Sequence, residues 1–256
     1  MFSVDLNCDL GESFGAYTIG MDEDVIPYVT SANVACGFHA GDPLIMQKTV
    51  QTAGKYGVHI GAHPGFPDLA GFGRRNMQMS PAEIKAMIQY QVGALLAFCM
   101  AEKKSLQHVK PHGALYNMAV KDAAMAEAIC EGIAEVDPNL ILLGPAGSEL
   151  MKAAQKNGLL VAREVFADRA YEEDGTLVAR SKAGAMITDE AEAIRRVVKM
   201  VKNGTVTAIT GREIEVQADS VCVHGDGPKA LDFVRKISGI LKEEGIQIRP
   251  LREIVK

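Results

Sequence analysis

Short β-type runs in this chain place polar side chains on every second residue and apolar ones between them. Successive side chains of a strand point to opposite faces, so each set shares one face. Asp5, Asn7 and Asp9 alternate with Val4, Leu6 and Cys8. His59, Gly61 and His63 alternate with Val58, Ile60 and Ala62, and His108, Lys110 and His112 with Val109 and Pro111. Glu164 and Asp168 flank Val165 and Ala167, while Cys222, His224 and Asp226 alternate with Val221 and Val223. An open doubly wound sheet buries both faces of its central strands and writes them as continuous apolar runs. A (β/α) barrel instead places one face under helices and the other in a lumen, with its chemistry at the C-terminal strand ends. The alternation predicts the barrel.

The candidate strands are Phe2–Asp9, Ala32–Cys36, Val58–Ala62, His108–Pro111, Leu140–Leu143, Leu160–Phe166, Val206–Ile209 and Ser220–His224. Amphipathic helices lie between them. The clearest opens at Ser80-Pro81-Ala82-Glu83, which combines an N-cap serine, a proline at the first helical position and a capping-box glutamate. Ile84, Met87, Ile88, Val92, Leu95, Leu96 and Cys99 continue it as a 3.6-residue stripe. Ala191, Ile194, Val197, Val198 and Val201 repeat that pattern, as do Leu231, Val234, Ile237 and Leu241. Strand–helix alternation builds a parallel sheet. No Gly-x-Gly-x-x-Gly turn follows the first strand, which counts against a dinucleotide-binding sheet. No linker or repeat divides the chain, so residues 1–256 are expected to form one domain.

Of the 256 residues 48% are apolar and 23% charged, enough for a sizeable core without disulfides or structural metal. A net charge of −5 with no basic run disfavours nucleic acid and anionic membrane as partners. The longest wholly apolar run, Val92 to Ala101, is short of the ~18 residues of a membrane span. The acidic N-terminus lacks the basic start of a signal peptide. Five cysteines without a C-x-x-C pair argue against a disulfide framework or a cysteine-rich zinc site. A reduced, cytoplasmic compartment is expected.

Four of the six histidines, His39, His63, His112 and His224, follow apolar runs and stand near glycine or proline. In a parallel barrel such positions gather at one mouth. Asp9, Glu12, Asp42, Glu164, Asp168 and Asp226 fall on the same strand ends. A carboxylate among histidines serves as a general base or fixes a histidine tautomer. The same donors suit zinc or manganese. However, there is no H-E-x-x-H, and His59/His63 or His108/His112, four apart on a strand, stand ~13 Å apart. No tightly held metal is therefore expected to be required. No G-x-S-x-G elbow is present, and Cys8 and Cys36 lie on the apolar parity, leaving Cys222 as the one thiol on the polar face. The connections His63 to Ser80 and Ala167 to Ala185 have the length of lids and carry Arg74, Arg75, Arg169 and Arg180, groups that can clamp a carboxylate or phosphate. No Walker A loop occurs.

Six segments in order, DLNCDLGE (Asp5–Glu12), NVACGFHAGDP (Asn33–Pro43), GAHPGFPDLAGFGRR (Gly61–Arg75), VKPHGALYN (Val109–Asn117), EVFADRAY (Glu164–Tyr171) and VHGDG (Val223–Gly227), resemble the LamB/YcsF family. They span nearly the whole chain. Ala179 and Ala183 stand where the family pattern carries prolines. The resemblance implies an α/β fold, a distorted TIM-like (β/α) barrel related to the glycoside hydrolase/deacetylase barrels. It implies an ATP-dependent 5-oxoprolinase activity, the ring opening of 5-oxo-L-proline to L-glutamate coupled to conversion of ATP to ADP and phosphate. It also implies two further subunits, B and C, that handle most of the co-substrate ATP. Self-association of the chain stays open.

Residue roles follow from that implied reaction. A five-membered lactam is a stable amide, and phosphorylating its carbonyl oxygen makes a better electrophile. The site then needs a base for water, an acid for the ring nitrogen, and cations for carboxylate and phosphate. Asp9, Glu164 and Asp168 are candidates for the base, and His63, His112 and His224 for the acid. Asn7, His39, Arg74, Lys110 and Arg169 are candidates for substrate binding. Two other readings stay open: a stand-alone metal-dependent carbohydrate deacetylase or amidohydrolase, and a non-catalytic regulatory subunit.

Overall fold

A computed structural model describes residues 2–223 and 230–255. Its strands are β1 (Ser3–Leu10), β2 (Ser31–Ala35), β3 (His59–His63), β4 (Leu106–Val109), β5 (Ile141–Gly144), β6 (Leu160–Phe166), β7 (Thr205–Thr207), β8 (Glu213–Glu215), β9 (Ser220–Val223) and β10 (Gln247–Ile248). The helices are α1 (Asp22–Val25), α2 (Pro43–Tyr56), α3 (Pro81–Ala101), α4 (Gly113–Ala119), α5 (Ala123–Val136), α6 (Glu149–Lys156), α7 (Glu190–Asn203), α8 (Ala230–Glu243) and α9 (Leu251–Ile254). Strands β1 to β6 pair in parallel in sequence order, β6 pairs with β9, and β9 returns to β1 through Asp5–Ser220 to Cys8–Val223. The ring is closed, with seven parallel strands.

One expected barrel strand is elsewhere. Val206–Ile209 has the apolar make-up of a barrel strand, but β7 pairs antiparallel with β8 in a separate hairpin. The turn between them needs Gly211 at φ +89°, and Ala208 N–H donates to Arg212 O. Val206 is buried in the core while Thr207 is exposed, so the hairpin covers the outside with one face. The expected strand His108–Pro111 stops early, at Val109, since Pro111 has no N–H for a ladder. The end of Ser220–His224, with Asp226 beyond it, lies outside the described residues.

The two strand faces separate as the alternation requires. Val4, Leu6, Cys8, Val34, Ile60, Ala62, Leu142, Val165 and Val221 pack in one apolar layer with the helices. Asp5, Asn7, Asn33, His108 and Ser220, all fully buried, form a polar network inside the ring. A smaller apolar cluster of Ile141, Leu143, Ala162 and Leu251 brings α9 against the barrel. Helix α3 begins with the full capping box. It is long and apolar enough to cross a membrane by length and composition. Its inner residues Ile84, Ile88, Val92 and Leu95 are nevertheless in the core, and Gln91 among them bonds both N–H and O of Gly65.

Candidate active site

Lys110 follows β4 and remains extended, its N–H donating to Ala62 O of β3. The register between β3 and β4 shifts at Gly61, where Gly61 faces His108 and Gln107 is the extra residue of a bulge. That shift keeps His108 and Lys110 on the lumen side. Lys110 Nζ lies 2.7 Å from Glu164 Oε1 of β6 and 3.0 Å from Asp9 Oδ1 of β1. It is also 3.3 Å from Asn7 Oδ1, 3.2 Å from Cys222 Sγ and 5.4 Å from the centre of the Phe166 ring. Burial opposes the charged amine, but the carboxylates of Asp9 and Glu164 outweigh it and hold Lys110 well above its usual range. Glu164 Oε2 accepts from the Tyr116 hydroxyl at 2.9 Å, and burial pushes that phenol well up. Burial likewise pushes the Cys222 thiol well above its ordinary value, so it is a protonated wall of the site rather than a nucleophile.

Beside this pair sits a histidine cluster. His63 Nδ1 is 2.7 Å from Lys110 O, and His112 Nε2 is 2.8 Å from Phe72 O. A carbonyl only accepts, so these two nitrogens carry the protons. The remaining nitrogens, His63 Nε2 and His112 Nδ1, face one another at 2.9 Å. The His39 ring stacks on His112 with centroids 3.7 Å apart and planes 2° from parallel. Burial and the neighbouring histidines push His39 well below its usual value, and burial takes His112 down to about 3. Glu12 Oε1 is 3.7 Å from His39 Nε2 and 3.9 Å from His112 Nδ1, and Asp9 Oδ2 is 3.4 Å from His63 Nε2.

The loop after β3 holds this cluster together. Asp68 accepts from Gly71 N–H and from the Arg75 side chain, pinning a short turn. Phe72 then takes φ +54°, uncommon for a bulky residue, and thereby aims its carbonyl at His112. Gly73 at φ +62° has no room for a side chain: a Cβ there would lie 2.7 Å from His39 Cβ and 2.8 Å from His112 Cδ2. The loop after β6 forms the opposite wall. Arg169, 5% exposed, donates through Nη2 to Val178 O at 2.7 Å while its Nε has no partner among the described residues. Between the walls is a cavity of about 630 Å³, lined among others by Asp9, Glu12, His63, Arg74, Lys110, His112, Glu164 and Arg169.

Most of the residues expected from the sequence are thus brought together at the C-terminal mouth: Asn7, Asp9, His39, His63, Lys110, His112 and Glu164, with Arg74 and Arg169 on the walls. Asp168 is not among the residues lining the cavity. His224 lies outside the described residues. The spacing argument concerns pairs within one strand, and neither His59 with His63 nor His108 with His112 comes together in the cluster. Histidines four apart along one strand are too distant to share an ion, but Glu12, His39, His63 and His112 come from four different strand ends and place their ligand atoms within 4.8 Å of one another. Tyr116, Phe72 and Asn33 join the site without having been expected there. Tyr116 lies in the same VKPHGALYN segment as Lys110 and His112, but Phe72 acts through its carbonyl, which no side-chain pattern announces.

The LamB/YcsF family pattern matches residues 4–256. The chain is 66% identical over 254 residues to a Clostridium beijerinckii protein named as the A subunit of 5-oxoprolinase, covering 99% of this chain and 100% of that one. It is 56% identical to the Bacillus subtilis protein of the same name, covering 99% and 98%. Among solved structures, a lactam utilization protein from Thermus thermophilus is similar with a TM-score of 0.92 and 47% identity, over 96% of this chain and 99% of that one.

Proposed function

The chain belongs to the LamB/YcsF family, and we propose that it is the A subunit of an ATP-dependent 5-oxoprolinase that opens 5-oxo-L-proline to L-glutamate. The observation that carries this reading is end-to-end similarity to relatives of that name. The site supplies what the reaction needs. Asp9 faces the cavity beside His63 and Lys110, where a base would take a proton from the attacking water. The lactam oxygen takes the terminal phosphoryl group of ATP, releasing ADP. A bond then forms from that water's oxygen to the ring carbon, and the carbon–nitrogen bond breaks with the nitrogen taking the proton that Asp9 removed from the water. A second water releases phosphate from the acyl phosphate to leave glutamate. The Lys110 ammonium stabilises charge on the carbonyl oxygen, with Glu164 and Tyr116 holding it in place. Arg169 and Arg74 take the substrate carboxylate or the phosphate of an activated lactam.

ATP is handled largely by two partner subunits on this reading, because the sequence has no phosphate-cradling loop. The compartment is cytoplasmic, in keeping with five free cysteines, all buried. The test is glutamate release from 5-oxoproline and ATP by each combination of subunits. The chain alone should release little, and the three together should form glutamate and ADP in step. His112→Ala or Glu164→Ala in the complex should cut that output by about a hundredfold or more, as loss of an acid–base or electrostatic group does. Full activity in both variants would favour a regulatory role. Robust ATP-dependent turnover by the chain alone would overturn the division of labour.

A further inference from the structure

We infer that Glu12, His39, His63 and His112 form a binding site for one divalent transition-metal ion at the cavity wall. Two independent observations carry it. The first is the pair of bare ring nitrogens. Because His63 Nδ1 and His112 Nε2 each face a main-chain carbonyl, which can only accept, His63 Nε2 and His112 Nδ1 are left facing each other at 2.9 Å, an arrangement that needs either a shared proton or a metal ion. Lone pairs at that distance repel unless a cation lies between or beside them. Donation of the outer ring N–H to a carbonyl is also how metal-bound histidines are oriented. The second observation is His39, 1% exposed, with neither ring nitrogen hydrogen-bonded among the described residues. A buried imidazole left so is costly, and its Nε2 points toward Glu12.

The distances suit one ion once the His39 ring turns out of its parallel stack on His112, because a single ion cannot lie in both ring planes. Zinc–nitrogen bonds of ~2.1 Å in a tetrahedron separate ligand atoms by about 3.4 Å. The contacts here are 2.9 Å between His63 and His112, 3.7 Å between His39 and Glu12, and 3.9 Å between His112 and Glu12, all within 4.8 Å. Three imidazoles and one carboxylate favour zinc, cobalt or manganese over the all-oxygen preference of calcium and magnesium. Glu12, His63 and His112 also line the cavity, so an ion held there is open to a water or a substrate oxygen. Occupancy would make His63 and His112 ligands and leave Asp9 to handle protons. The site does not depend on the 5-oxoprolinase reading, and its test does not use turnover.

The full chain is treated with chelator, exchanged into metal-free buffer, and titrated with Zn²⁺ and with Co²⁺ by calorimetry and visible absorption. One equivalent should bind per chain, Co²⁺ should develop ligand-field bands, and the melting temperature should rise with metal concentration. His63→Asn and Glu12→Gln should weaken binding by at least about tenfold to a hundredfold, since even outer-shell partners cost that much. His59→Asn, outside the cluster, should bind as the parent does. Circular dichroism identifies any variant that fails to fold, and the parent's own stoichiometry decides the matter without the variants. No uptake by folded parent protein overturns the site and leaves a shared proton between His63 and His112. Uptake unchanged in both folded variants overturns it too.

Discussion

The Lys110 ammonium and the Glu164 carboxylate meet at 2.7 Å with side chains only 3% and 0% exposed, inside a ring of parallel strands. Glu164 comes from β6 and Lys110 from the end of β4, so the contact spans β5 across the lumen. A buried pair of this kind is costly to break by halves, because the survivor is a buried unpaired charge. Lys110→Met and Glu164→Gln should each destabilise the chain by about 3–5 kcal/mol. The double variant should lose less than the sum of the two. Urea unfolding of all four proteins measures the coupling, and simple additivity would mean the pair is energetically independent.

Gly61 is the close-approach point of the lumen. A Cβ built there would stand 2.0 Å from His108 Nε2, which bonds Asn33 Oδ1 at 2.7 Å, and Asn33 in turn donates to Asn7 and Asp9. Gly61→Ala should therefore cost about 1–3 kcal/mol by overpacking and also displace Asp9. Adding His108→Ala should recover part of the stability by opening the space. Thermal unfolding of the single and double variants tests this, with no recovery counting against the steric account.

Much of this was legible in the sequence because strand parity is a local property. Asp5, Asn7 and Asp9 against Val4, Leu6 and Cys8 already separate lumen from outer layer, and the glycine-flanked histidines already mark strand ends. Two things were not legible. Val206–Ile209 has the composition of a barrel strand, and only its antiparallel pairing to β8 removes it from the ring. The Glu12, His39, His63 and His112 cluster joins residues up to a hundred positions apart. Local spacing carries ligand information only when one helix or one hairpin supplies the ligands, and here four strand ends do.

Asp5 gives a pH dependence whose sign is fixed by burial. Burial raises its carboxyl from the ordinary 3.8 to about 6, against the opposing hydrogen bonds from Ser220, Ser31 and Thr30. Between those values the folded protein keeps a proton that the unfolded chain has released. Its contribution to stability is thus fully present below about pH 4 and is lost as pH rises through 6, by about 3 kcal/mol. Asp5→Asn removes that term. The stability of the variant relative to the parent should rise by roughly this amount between pH 4 and pH 7 in denaturant titrations. A difference that stays flat across that range would show that the carboxyl titrates alike in both states.

Arg169 is the wall residue best placed to hold an anion. One guanidinium nitrogen is committed to Val178 O, Nε is buried without a partner among the described residues, and burial lowers the group to about 10 without removing its charge at neutral pH. A hydrogen bond between charged groups in such a place contributes about 1.5–3 kcal/mol. Arg169→Met in the reconstituted complex should therefore raise the KM for 5-oxoproline by about tenfold to a hundredfold if Arg169 grips the substrate carboxylate in ground state and transition state alike. If it instead grips the phosphate of an activated lactam, kcat should fall and KM should stay near the parent value. Arg169→Lys should recover part of either loss, since it restores the charge without the fork of donors. Steady-state kinetics separates the two cases, and a variant with both parameters unchanged would leave Arg169 as a strut that ties the loop to Val178.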